Sequence, residues 1–227
     1  MKGKVFMSAG VAKWDKDLML QARALFERGK QDKKLAKYAR YHLAYAGYRL
    51  GTYFMQNKNS DKAKEHLNDA IQQLEQAIRM DKKFAEAYAL QSSCLGRKVR
   101  LNPMHAMSLG PKSMRMIETA MRFAPENPRV VMLYGLGKYF TPAMFGGSKE
   151  IAMQRLHEAA ELFRKWQPPD ELAPDWGREE VYAWIGQIYL EENKPQQAKE
   201  ALEMALQINP QYGWVKYQLL PKVSAKK

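Results

Sequence analysis

Residue types that could do chemistry are present in this chain, but they do not gather at a productive spacing. The candidates are four histidines, His42, His66, His105 and His157, and one cysteine, Cys94. His157-Glu158-Ala159-Ala160-Glu161 begins like a zinc-protease helix, in which two histidines four apart share one face and the intervening glutamate is a base. Glu161 occupies the place of the second histidine, so the metal-binding pair is missing. Cys94 lies between Ser92-Ser93 and Leu95 on a helical stretch with no base nearby in sequence, the setting of a buried structural thiol. Gly146-Gly147 has neither a preceding strand nor the Gly-Lys-Ser/Thr that completes a phosphate loop. Glu179-Glu180 and Glu191-Glu192 fall at helix ends, where carboxylates match the dipole or face water. No nucleophile elbow or kinase signature occurs. The sequence therefore predicts no catalytic residue, no metal ligand set and no cofactor.

The elements that would carry these residues read as helix almost throughout. Leu18, Ala22, Leu25 and Phe26 make an apolar stripe over 15–28 that Gly29 can end. A second helix spans about 35–56, with Tyr41, Ala44, Tyr48, Gly51 and Met55 in register. Ser60 is then placed to cap a third helix running to Met80. A further pair opens at Phe84 and resumes at Ser113, separated by a breaker-rich stretch from Leu101 to Pro111. Another pair follows Pro128 and turns at Thr141-Pro142-Ala143-Met144-Phe145-Gly146-Gly147. In that turn the glycines supply positive φ, Ser148 caps the returning helix, and Phe145 is expected to plug the core beneath. A linker from Gln167 to Gly177 holds three prolines ahead of a last pair and a closing helix over 211–220.

The last pair is the most regular. Tyr182, Ile185, Gly186, Tyr189, Ala198, Leu202, Ala205 and Pro210 place large residues between two antiparallel helices, with small ones where backbones approach and a proline at the end. Residues 179–212 in this way resemble the 34-residue tetratricopeptide repeat (TPR). Leu50, Gly51, Phe54, Ala63, Leu67 and Ala70 repeat the spacing. The resemblance implies an all-α, TPR-like array of about ten antiparallel helices in a right-handed superhelix, with irregular inserts. Residues 1–14 are expected to be a disordered or residual leader segment. Residues 15–227 are expected to form one helical domain, with units at about 35–82, 84–126, 128–166 and 179–212. The Phe-Gly-Gly turn, Asp175-Trp176-Gly177 and Gly213-Trp214-Val215-Lys216-Tyr217 are similar to elements of bacterial envelope TPR proteins. More distantly they resemble the periplasmic T-component of TRAP-type transporters, which favours a periplasmic or secreted location.

By that resemblance the first helix of each unit lines a concave face. The partner-binding candidates are Tyr45, Tyr48, Arg49, Thr52 and Met55, then Tyr134 and Lys138, then Glu180, Trp184, Gln187 and Glu191. Tyrosine, tryptophan and arginine are the residue types that anchor interfaces. Residues 1–60 carry thirteen Lys and Arg against four Asp and Glu, within a total net charge of +13, which favours an acidic partner. The leading expectation is a non-catalytic scaffold that binds a peptide or protein. A periplasmic ligand-binding or transport-accessory protein is the alternative. Nucleic-acid binding through the basic N-terminal half stands third and is disfavoured, because no Arg/Gly tract or RNP-like strand accompanies the charge. No apolar run is long enough to span a bilayer, and exposed repeat ends make a homodimer an open expectation.

Overall fold

The computed structural model describes residues 1–224. Among them every regular element is helical: α1 (Lys2–Lys13), α2 (Lys16–Gly29), α3 (Ala36–Gln56), α4 (Ser60–Met80), α5 (Ala85–Leu101), α6 (Ala106–Phe123), α7 (Pro128–Phe140), α8 (Lys149–Lys165), α9 (Arg178–Glu191), α10 (Pro195–Ile208) and α11 (Leu220–Ser224). Short 3-10 turns at Pro103–His105 and Ala143–Phe145 connect α5 to α6 and α7 to α8. The chain packs as two compact units. One comprises residues 1–10, 15–125 and 168–174; the other comprises 11–14, 126–167 and the chain from Asp175 on.

In the first unit α3 pairs with α4 and α5 with α6, while α2 packs on α3 and α4 on α5. The α3–α4 contact is close because Gly47 and Gly51 face it. A Cβ on Gly51 would fall 2.9 Å from Leu67 Cγ, and one on Gly47 would fall 2.9 Å from the His66 carbonyl oxygen. Caps set the ends. Asp15 accepts from the amides of Asp17 and Leu18 at the start of α2, and Asn59 accepts from the Lys62 amide at the start of α4. The α4 cap is thus one residue earlier than the sequence suggests, with Ser60 already helical. α6 likewise begins earlier than Ser113, inside the breaker-rich stretch. Pro111 lies within it, and Asn102 starts the preceding 3-10 turn by accepting from the Met104 amide.

The first helix, α1, packs closely on α2. Met7 is buried on α1, and Gly3 and Gly10 let α1 approach α2, where added Cβ atoms would lie 2.7 Å from Phe26 Cε1 and 2.9 Å from Met19 Cγ. The small residues Gly3 and Gly10 make this close helix contact. Residues 168–174 join this unit: Lys4 donates to the carbonyls of Glu171 and Ala173 at 2.6 and 2.8 Å, and His42 Nε2 lies 2.7 Å from the Leu172 carbonyl.

In the second unit α7 pairs with α8 and α9 with α10, and α8 packs on α9. Gly186 sits against α10, where a Cβ would fall 2.6 Å from Leu202 Cδ2. Ala183, Leu190, Ala198, Leu202, Ala205, Tyr212, Val215, Leu219 and Val223 form one buried cluster. The last three recur every four residues along a π-helical stretch (Val215–Leu219) that runs into α11, so the closing helix presents one stripe to the final pair.

The Phe-Gly-Gly turn is firmly built. Gly146 has φ of 85°, and Lys138 Nζ donates to its carbonyl at 3.0 Å. Ser148 accepts from the Ile151 amide at 3.1 Å, as a helix cap should. A Cβ on Gly147 would fall 1.7 Å from the Thr141 carbonyl oxygen. Phe145 does not plug the core. It is 57% exposed, as the last residue of the three-residue 3-10 turn, in which no residue is buried.

Candidate functional site

The proposed concave residues of the first unit follow from one helix face: Tyr45, Tyr48, Arg49, Thr52 and Met55 recur at three- and four-residue intervals on α3. Tyr45, Tyr48 and Arg49 are buried, with about one-twentieth of their surface exposed. Arg49 Nε donates to Tyr45 Oη at 3.1 Å, and its guanidinium lies 5.1 Å from the Tyr45 ring centroid. Arg97, from α5, donates to Tyr48 Oη at 2.7 Å and stacks 4.4 Å above that ring. Thr52 returns its hydroxyl to the Tyr48 carbonyl, and Met55 is half-buried. The arginines and tyrosines pair with each other, so this part of the face is internal packing. Helical spacing identifies a face but not what covers it.

In the second unit Tyr134 and Lys138 turn toward their own hairpin. Arg155 of α8 lies 5.6 Å from the Tyr134 centroid, and the Lys138 ammonium is held by the Phe-Gly-Gly turn. The α9 candidates are placed differently. Trp184 stands at the centre of an aromatic row: Phe140 edge-on at 5.3 Å, Tyr139 at 5.9 Å and Trp214 at 4.8 Å, with Tyr212 6.3 Å beyond Trp214. The row draws its rings from the end of α7, the middle of α9 and the start of the closing segment. Phe140 remains 44% exposed, and Trp184 and Trp214 are half-buried. Glu180 is buried, and Trp184 Nε1 approaches its carboxylate at 3.5 Å.

Glu191 closes one end of the row. It accepts from Lys149 Nζ at 2.8 Å, from Gln187 Nε2 at 3.1 Å and from the Tyr139 hydroxyl. Burial alone would raise its pKa, but these donors outweigh burial and hold it below the usual glutamate range. The same hydrogen bond and charge hold the Lys149 ammonium above its ordinary value. The result is an aromatic surface rimmed by an ordered, charged cluster, an arrangement that suits recognition. Tyr139, Phe140 and Trp214 were not among the sequence candidates. Phe140 reads as a core position of its repeat, and its exposure follows from its place as the last residue of α7.

The potentially reactive groups are dispersed. Cys94 is fully buried, which pushes its thiol up to about 12. His66 stacks on Phe54, its pKa lowered by burial and by the Arg23 cation; His157 approaches Tyr189 Oη at 3.3 Å; His42 stacks on Phe26. Among the described residues no three His, Cys, Asp or Glu side chains meet as a metal site, and no helix is long and apolar enough to cross a membrane.

Residues 179–212 match the family model of the tetratricopeptide repeat. No curated protein sequence matches the chain. Among solved structures, the HusA haemophore from Porphyromonas gingivalis is similar at 22% identity, over 84% of this chain and 94% of that one, with a TM-score of 0.66. TTC0263, a thermophilic TPR protein in Thermus thermophilus, is similar at 16% identity over 98% and 99%, also with a TM-score of 0.66. At these identities the likeness is one of fold.

Proposed function

We propose that this chain, which carries a tetratricopeptide repeat at residues 179–212, is a non-catalytic scaffold whose partner, a peptide or protein segment, docks on the aromatic row of the second unit. The observation that carries the reading is the exposed Phe140 ring set edge-on against Trp184. Rigid aromatic rings offer large contact area at little entropic cost, and a rim of oriented polar groups supplies direction. The partner would present an apolar side chain to Phe140 and Trp184 and a hydrogen-bond donor to Glu191. Quantitative co-purification from source cells tests this. A protein retained by the parent chain should be lost from a Phe140→Ala/Trp184→Ala variant that remains folded. Equal retention by the two would refute the assignment of the row.

A second reading rests on the haemophore among the structural neighbours. The same rings could hold a flat apolar small molecule by stacking. Titration with haemin, followed by tryptophan fluorescence, separates the two readings. Saturable quenching that Trp184→Phe weakens favours the small ligand; quenching that Trp184→Phe leaves unchanged argues against it.

A further inference from the structure

The turn between α5 and α6 has no role in either reading, and its exposure is extreme. Met104 is 89% exposed and Met107 83%, the two most exposed large apolar side chains among the described residues. They are held out by an ordered turn. Asn102 accepts from the Met104 amide at 3.1 Å, Pro103 fixes the first position, and Ser108 Oγ donates to the His105 carbonyl at 3.1 Å. Three residues apart on a helical path, the two thioethers project to one side.

The flanks are entirely basic. From Ala87 to Ile117 there is no Asp or Glu, while Arg97, Lys98, Arg100, Lys112 and Arg115 supply five positive charges. Lys112 pairs with Glu75 of α4 at 3.5 Å, and Arg97 is committed to Tyr48. Lys98 and Arg115 have no carboxylate partner among the described residues. Both lie within roughly 12 Å of the tip along their helices, at the rise of ~1.5 Å per residue.

We propose that this tip is a docking surface for an anionic lipid bilayer. Met104 and Met107 enter the boundary between headgroups and acyl chains, and the flanking Lys98 and Arg115 meet the lipid phosphates. A protruding apolar tip suits a deformable surface better than a preformed protein pocket. The basic collar supplies the second signal that shallow insertion needs. The inference does not depend on the aromatic row.

Flotation of the full chain with vesicles of phosphatidylglycerol and phosphatidylcholine in equal parts, against phosphatidylcholine alone, tests it. The parent chain should float with the anionic vesicles only and be released by high salt. Met104→Asp/Met107→Asp and, separately, Lys98→Glu/Arg115→Glu should each lower partitioning by about tenfold or more. The same variants should melt as the parent does, since these side chains are solvent-exposed or half-exposed. Tyr217→Asp, at another exposed position, should float normally. Equal flotation with both vesicle types, retained binding in the tip variants, or equal loss in Tyr217→Asp would each overturn the proposal. So would capture of the chain by an acidic peptide, poly-glutamate, with no flotation on anionic vesicles.

Discussion

The Phe140 ring meets the indole of Trp184 at 89°, with centroids 5.3 Å apart, and nearly half of Phe140 is left to solvent. An edge-to-face pair of this kind is worth about 0.5–1.5 kcal/mol beyond its buried area. Phe140→Ala should therefore destabilise the chain by about 1–2 kcal/mol at most, as read by urea denaturation, because the ring is only half covered. Leu202→Ala, which opens a cavity against Gly186, should cost about 2–5 kcal/mol. The opposite ranking would mean that Phe140 is a core residue and not a surface anchor.

The two glycines of the Phe-Gly-Gly turn should fail for different reasons. Gly146→Ala meets open space and is penalised only for positive φ, about 1–2 kcal/mol. Gly147→Ala drives a methyl into the Thr141 carbonyl and should cost about 3 kcal/mol. Chemical denaturation of the two single variants checks the order.

The Glu191 cluster gives a signed pH dependence. Its carboxyl is held below the usual range, so the stability it adds is present above the unfolded-state value, about 4.3 for an unperturbed glutamate, and fades as pH falls through the folded value. Lys149 is held above its ordinary value, so its share is present at neutral pH and fades only as pH rises through that raised value. Melting curves of the parent and of Glu191→Gln should therefore differ at pH 7 and converge toward pH 3. A gap that persists at pH 3 would show that the carboxylate charge contributes nothing.

Cys94 should be silent to thiol reagents. Full burial and a thiol pushed up to about 12 leave negligible thiolate at neutral pH. A disulfide reagent should label it only in denaturant; rapid labelling of the folded chain would contradict its placement.

Which of these features could be read from sequence depends on what each one requires of a side chain. Gly186 opposite Leu202 and Gly51 opposite Leu67 were legible because backbone approach demands a missing Cβ, a requirement that fixes residue type at fixed spacing. The all-α repeat fold follows from the same demand. The binding face was only half legible. Periodicity placed Tyr45, Tyr48 and Trp184 alike on first helices, yet Arg97 from another helix satisfies Tyr48 while Trp184 keeps an open flank. Phe145 was misread because an apolar residue beside a glycine turn can point either way, and no local pattern records which. Residues 168–174 gave no signal of their own: Lys4 and His42, more than a hundred positions earlier, hold them in place.

The central claim is that a partner contacts the row at Phe140. A photo-crosslinking phenylalanine analogue placed at position 140, and for comparison at exposed Gln207 on α10, tests it directly in source cells. A discrete protein adduct is expected from position 140, absent from position 207 and abolished by Trp184→Ala. No adduct from position 140, or the same adduct from both positions, would contradict it.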